Sequence, residues 1–133
     1  MVRGKSLSEV MLLSMIEEYH FGSITINGKT YDYDIEVRCD GVVLKWWRQE
    51  SHKIAIEDIK RAIEQKPDII VIGTGESGLA KVLDETKEKI LSEGITLIIR
   101  KTTEAVKTFN KMCERSQKDK EQKRVIGLFH LTC

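Results

Sequence analysis

Pro67-Asp68-Ile69-Ile70-Val71-Ile72-Gly73-Thr74-Gly75-Glu76-Ser77-Gly78 decides the fold. Proline disfavours helix in the residue before it, so any preceding helix stops short of Pro67. Four consecutive aliphatics follow. An unbroken apolar run of this length suits a strand covered on both faces, as in α/β sheets. Glycines then mark the strand's end. Gly73, Gly75 and Gly78 stand at the spacing G-x-G-x-x-G, a dinucleotide-binding signature when a helix opens directly after the turn.

Upstream of this stretch, Ile56, Ile59, Ala62 and Ile63 recur at helical spacing. Glu57 and Asp58 suit the helix N-terminus, and Glu57 is placed to pair with Arg61 four residues on. Further back, Tyr19 to Val37 reads as β. Asn27-Gly28 is a two-residue hairpin signal. Tyr31, Tyr33, Ile35 and Val37 fall on one face of the returning strand, with Asp32, Asp34 and Glu36 on the other, solvated face. Asp40-Gly41 turns the chain into a third strand, Val42–Trp46.

Downstream, two readings of residues 77–92 stand. One continuous helix carries Leu79, Val82, Leu83, Thr86 and Ile90. Alternatively Leu79–Val82 is extended and Asp84 caps a shorter helix that ends at Gly94. Ile95–Ile99 is another strand. Thr102 or Thr103 caps a helix whose buried face is Ala105, Val106, Phe109, Met112 and Cys113. The charged run 114–124 is a solvated helix end and loop. Arg124–Leu131 is a last, almost wholly apolar strand, placed inside the sheet, where Gly127 marks a bulge or a close backbone approach.

With 133 residues, the chain reads as residues 15–133 forming a single α/β domain behind an N-terminal extension, residues 1–14. Its 22 basic and 21 acidic residues give no global drive toward nucleic acid or anionic membrane. The high charged fraction, 32%, has the flavour of a thermophile. No apolar run approaches a membrane span, and Val10–Leu13 lacks the length and cleavage site of a leader. Cys39, Cys113 and Cys133 are far apart and odd in number, a poor disulfide framework. A reducing, cytoplasmic setting is expected.

The ordered motifs resemble a known family. They are Tyr19-His20-Phe21-Gly22-Ser23-Ile24-Thr25-Ile26-Asn27-Gly28, Tyr31 with Asp34, Trp46-Trp47-Arg48 with His52, and Glu57-Asp58. Pro67 to Gly75, Gly94-Ile95, Thr103-Glu104-Ala105-Val106 with Phe109-Asn110, and Val125 to Cys133 complete the set. Together they are similar to the uncharacterised α/β domain of the adipogenesis-associated proteins and a mitochondrial complex I assembly factor. The resemblance spans about residue 15 to the C-terminus. It implies a three-layer fold: a mixed central sheet with helices on both faces and a small N-terminal β-layer. It implies no established enzymatic activity and no cofactor, and it links members to assembly or regulation through partners.

Four candidate sites follow. Trp47, Arg48 and His52 are the partner-binding candidates, because an exposed aromatic beside arginine anchors protein contacts. In the plainer reading Trp46 packs under a helix and Arg48 stacks on Trp47. Gly73, Thr74, Gly75 and Arg100 form a candidate pocket for a nucleotide, with arginine where a 2′-phosphate would sit. The competing reading is a tight turn with close backbones. His130 and Cys133 are zinc-type ligands without a third, and a histidine in an apolar strand reads first as a hydrogen-bonded structural residue. Asp32, Asp34 and Glu36 on the acidic strand face, or Glu76-Ser77, would serve catalysis only with a geometry and shifted pKa values that no sequence feature shows; they read as a solvated face and a turn serine, and no catalytic residue is assigned. The leading reading is a non-enzymatic interaction or assembly accessory without cofactor or metal, with a protein partner and no membrane or nucleic-acid role. The alternative is a small-molecule or nucleotide (NADP-like) binding protein or oxidoreductase using the Gly73–Gly78 turn.

Overall fold

The computed structural model describes residues 15–118 and 122–133. The proposed extension, residues 1–14, lies outside them. Among the described residues, ten strands and three helices follow one another as β1 (Ile16–His20), β2 (Ser23–Ile26), β3 (Lys29–Tyr31), β4 (Ile35–Arg38), β5 (Val43–Lys45), β6 (Lys53–Ile54), α1 (Ile56–Glu64), β7 (Ile69–Thr74), β8 (Lys81–Val82), α2 (Asp84–Ser92), β9 (Thr96–Arg100), α3 (Thr102–Lys118) and β10 (Val125–His130).

The central sheet runs β5-β4-β10-β7-β9. β10 is parallel to β7 and β7 to β9, while β4 and β5 pair antiparallel. The sheet is mixed, and the last strand lies at its centre. Every residue of β10 is buried, as expected for a strand paired on both edges and covered on both faces. One face carries α3 and the small β1-β2-β3 sheet around Val71, Phe109 and Phe129. The other carries α1 and α2 around Ile59, Ile70, Ile72 and Ile90. The expected three-layer α/β architecture is the observed one.

Local chemistry sets most boundaries. Asn27 and Gly28 both take positive φ, 49° and 85°, the conformation a type I′ hairpin demands. Asp58, third in α1, accepts the Ala55 N–H at 2.7 Å, satisfying a donor that the helix start leaves orphaned. The open question after the glycine turn resolves to the shorter helix. Lys81–Val82 is extended and pairs with β6, and α2 opens at Asp84 with Leu83 in the N-cap position.

Three expectations need correction. The strand that was to run through Val37 breaks at 32–34 and restarts as β4 in a different sheet. The Glu36 side of β4 therefore faces protein, not water. Glu36 is 1% exposed and bridges Arg38 at 2.8 Å and Arg61 at 2.9 Å. A buried carboxylate needs such partners to offset its desolvation. Second, Arg61 turns from the helical pairing with Glu57 toward Glu36 and also donates to the Lys45 carbonyl, occupying an acceptor on edge strand β5. Third, Cys39 and Cys113 form a disulfide across 74 residues, with Cα atoms 5.5 Å apart; Cys133 is free. Closing a loop of that size stabilises on the order of 4 kcal/mol through the unfolded chain.

Gly127 answers to the close-approach reading. A Cβ there would lie 2.5 Å from the Phe129 ring and 2.9 Å from Phe109, and those rings pack edge to face at 5.7 Å. Gly127→Ala is expected to overpack this layer and cost about 1–3 kcal/mol, read as a lower midpoint in urea unfolding with the same slope.

Candidate functional site

The carboxyl ends of β7, β9 and β10 come together at Thr74, Arg100 and His130. This is the end of an α/β sheet where ligands ordinarily bind. In this chain it is filled from within by two polar systems.

The first surrounds Asp34, in the link between β3 and β4. Its Oδ1 accepts the Leu131 N–H at 2.9 Å. Its Oδ2 accepts Arg48 Nη2 at 2.8 Å and lies 2.8 Å from His130 Nδ1. Arg48 Nη2 is also 2.7 Å from that same Nδ1. One ring nitrogen cannot accept from arginine and donate to a carboxylate together. With its proton on Nε2 the imidazole accepts from Arg48; with the proton on Nδ1 it donates to Asp34. Arg48 Nε also donates to Asp34 Oδ2, at 3.3 Å, Nη1 donates to the Glu50 and Ser51 carbonyls at 2.7 and 2.9 Å, and the group stacks 5.2 Å from the Trp46 ring. Arg48 thus joins the 49–51 loop, the β3–β4 link and the end of β10.

Burial alone would raise the Asp34 pKa. The hydrogen bonds from His130, Arg48 and the Leu131 amide outweigh it and hold the carboxyl below its usual value. Tyr19, in β1, donates its hydroxyl to the Leu131 carbonyl at 3.0 Å. Its own burial, reinforced by the Glu76 carboxylate, pushes the phenol pKa up, so it stays a donor.

The second system is the glycine turn. Gly75 N–H donates to Thr102 Oγ1 at 2.8 Å, and that hydroxyl donates onward to the His130 carbonyl at 2.6 Å. Glu76 N–H and Gly78 N–H donate to the Thr132 and Gly75 carbonyls. Thr74 Oγ1 donates to the Arg100 carbonyl at 3.2 Å. Gly73, Thr74, Gly75 and Arg100 are therefore brought together, and the amides a phosphate would use at Gly75, Glu76 and Gly78 are taken up internally. The helix after the turn starts at Asp84, away from it. Gly75 has φ +103°, and a Cβ there would lie 2.3 Å from the Cys133 backbone. Backbone proximity accounts for this glycine.

The Trp46–His52 segment divides by alternation. Trp46 is buried, and its indole N–H donates to the Asp58 carbonyl at 2.8 Å. Trp47 is 72% exposed, with Lys45 Nζ 4.3 Å from its ring and 5.0 Å from that of Tyr33. His52 is exposed. Arg48 turns inward, its side chain 5% exposed, and stacks on Trp46, not on Trp47. Of the three partner-binding candidates, Trp47 and His52 lie at the surface and Arg48 lies beneath it.

Thr132 Oγ1 lies 3.3 Å from His130 Nε2, completing a hydroxyl–imidazole–carboxylate line that resembles a hydrolytic triad. At 3% exposure the His130 ring is closed to substrate, and Arg48 contests the tautomer that a triad base requires. The network's evident chemistry is positioning. Asp34 and His130 stand 96 residues apart, and no local motif couples them. Only the polar residue set inside an apolar strand hints at a buried partner.

The fold and site define a three-layer α/β domain whose sheet end is closed by its own C-terminal segment. The chain belongs to the family described as Protein of unknown function (DUF498/DUF598), whose model matches residues 16–130. It is 30% identical to a conserved hypothetical protein from Pyrococcus horikoshii OT3, covering 89% of this chain and 98% of that one, with a TM-score of 0.75. A Mth938-like domain from Bordetella pertussis shares the fold at 17% identity, 90% and 87% coverage and TM-score 0.63. So does a protein from Bartonella henselae described as an outer membrane protein, at 20% identity, 91% and 97% coverage and TM-score 0.74. Among the described residues no helix is long and apolar enough to cross a membrane.

Two outcomes are expected. Arg48→Ala strands the Asp34 carboxylate and costs about 3 kcal/mol, a fall in melting temperature on the order of 10 °C. Asp34 has a folded pKa below its unfolded value of about 3.9. Its contribution is fully present above that value and is lost as pH falls through the folded one. Asp34→Asn should therefore lower stability near neutrality and flatten its decline below about pH 4, measured by urea titrations at stepped pH.

Proposed function

We propose that this domain is a non-enzymatic protein-contact module, an assembly or regulatory accessory that engages its partner through Trp47. The observation that carries the reading is the exposed indole on a rigid base. Its neighbour Trp46 is clamped under α1, and Arg48 is held by Asp34, His130 and two loop carbonyls. A fixed aromatic loses little conformational freedom on binding, which is what makes such residues dominant anchors. Lys45, stacked between Trp47 and Tyr33, fits a partner that offers an apolar side chain flanked by carboxylates. His52 contributes at the flank, and Arg48 is a positioning residue.

The resemblance to the adipogenesis-associated proteins and to a complex I assembly factor supports the same class of role. The internal use of the glycine-turn amides favours it over nucleotide binding. The reading keeps a cytoplasmic setting. Disulfides persist there in hyperthermophiles, and the charge-rich composition is of that kind.

Affinity capture from the source lysate is expected to retain a discrete protein on the wild-type chain. Trp47→Ala should reduce that retention at least tenfold, equivalent to about 1.4 kcal/mol, with stability changed by under about 0.5 kcal/mol. Equal retention by the variant would remove Trp47 as the anchor.

A further inference from the structure

At the opposite, amino end of β7 and β10 the surface opens into a cleft of about 300 Å³. Its wall contains the Cys39–Cys113 disulfide, and Arg38, Lys123, Arg124 and Gln65 also line it. We propose that this cleft is a thiol–disulfide exchange site for a small anionic peptide thiol.

Three features converge there. The two cysteines are unequally covered: Cys113 is 2% exposed, in the buried face of α3, whereas Cys39, just beyond β4, is only partly buried. An incoming thiolate therefore reaches Cys39 Sγ first, and access selects which sulfur is attacked. Among the described residues that line the cleft, the charged ones are mainly cationic. Lys123 and Arg124 are exposed, and Arg38 adds a cation partly offset by Glu36. Among the described residues that line the cleft, Asp40 is the one carboxylate. A cationic surround favours the attacking thiolate. Finally, the Gln65 amide beside the apolar Pro67 ring offers donor, acceptor and apolar surface to a peptide backbone.

The step balances without an added oxidant. The thiolate attacks Cys39 Sγ and forms a mixed disulfide, the Cys39–Cys113 bond breaks, and its electron pair leaves on Cys113 Sγ, which takes a proton from water. A second thiolate attacking the external sulfur of the adduct releases the oxidised small disulfide and leaves Cys39 reduced. The exchange frees the end of β4 from α3, which the bridge joins across 74 residues.

The test uses the full chain under anaerobic conditions with glutathione as the anionic probe and cysteamine as its cationic counterpart. Rates are normalised to thiolate concentration and read by intact mass and peptide mapping after alkylation. The expected result is one glutathione on Cys39 with Cys113 alkylated. Glutathione should react roughly tenfold faster than cysteamine, as local charge steering allows. That preference should disappear in the Lys123→Glu/Arg124→Glu variant, whose folding is checked by circular dichroism. Cysteamine reacting as fast as glutathione would overturn the proposal, as would an adduct mapping to Cys113. A bridge that exchanges only after denaturation would make it a structural cross-link and overturn the proposal equally.

Discussion

The Asp34 carboxylate is the point on which the site end of this domain depends. It receives an arginine from the segment after β5, and a histidine and the next residue's backbone amide from the end of β10. Desolvating a carboxylate is costly, and only a full set of donors makes the ionised form the stable one. The requirement propagates outward. Arg48 must turn inward to reach Asp34, which leaves alternation to send Trp47 to solvent. His130 must lie at the end of the central strand, which brings Leu131 and Thr132 over the glycine turn.

The sheet end that many α/β proteins leave open is in this way closed by its own chain. Thr102 links the Gly75 amide to the His130 carbonyl, and Gly75 lets the Cys133 backbone pass where any side chain would collide. Donors that elsewhere greet phosphate are satisfied internally. The contact proposed for this domain lies instead at the surface, where Trp47, Lys45 and Tyr33 stack at the end of edge strand β5. Arg61 on the Lys45 carbonyl guards part of that edge against strand pairing, a common protection.

The two ends of the sheet differ in chemistry. The carboxyl end is a closed hydrogen-bond network with a depressed carboxyl. The amino end holds a cleft with a disulfide in its wall, and Arg38, Lys123 and Arg124 among its lining residues. The contact proposed at one end and the exchange proposed at the other lie on opposite sides of the core. The core between them, with Gly127 under the Phe109–Phe129 pair, is a rigid connection.

By itself the sequence determined the elements whose cause is local. Pro67 ended a helix, the Ile69–Ile72 and Val125–Leu131 runs required two-sided cover, Asn27-Gly28 required a hairpin, and Gly94 ended α2. These follow from φ restrictions and periodicity, which neighbouring residues carry. Tertiary structure alone decided that Glu36 is buried between two arginines and that Arg48 serves Asp34. It alone decided that Cys39 meets Cys113 and that the glycine turn is filled by the C-terminus. Each of these joins residues from separate elements, and the energy that selects them, a charge removed from water or a backbone in close contact, exists only after the layers have packed.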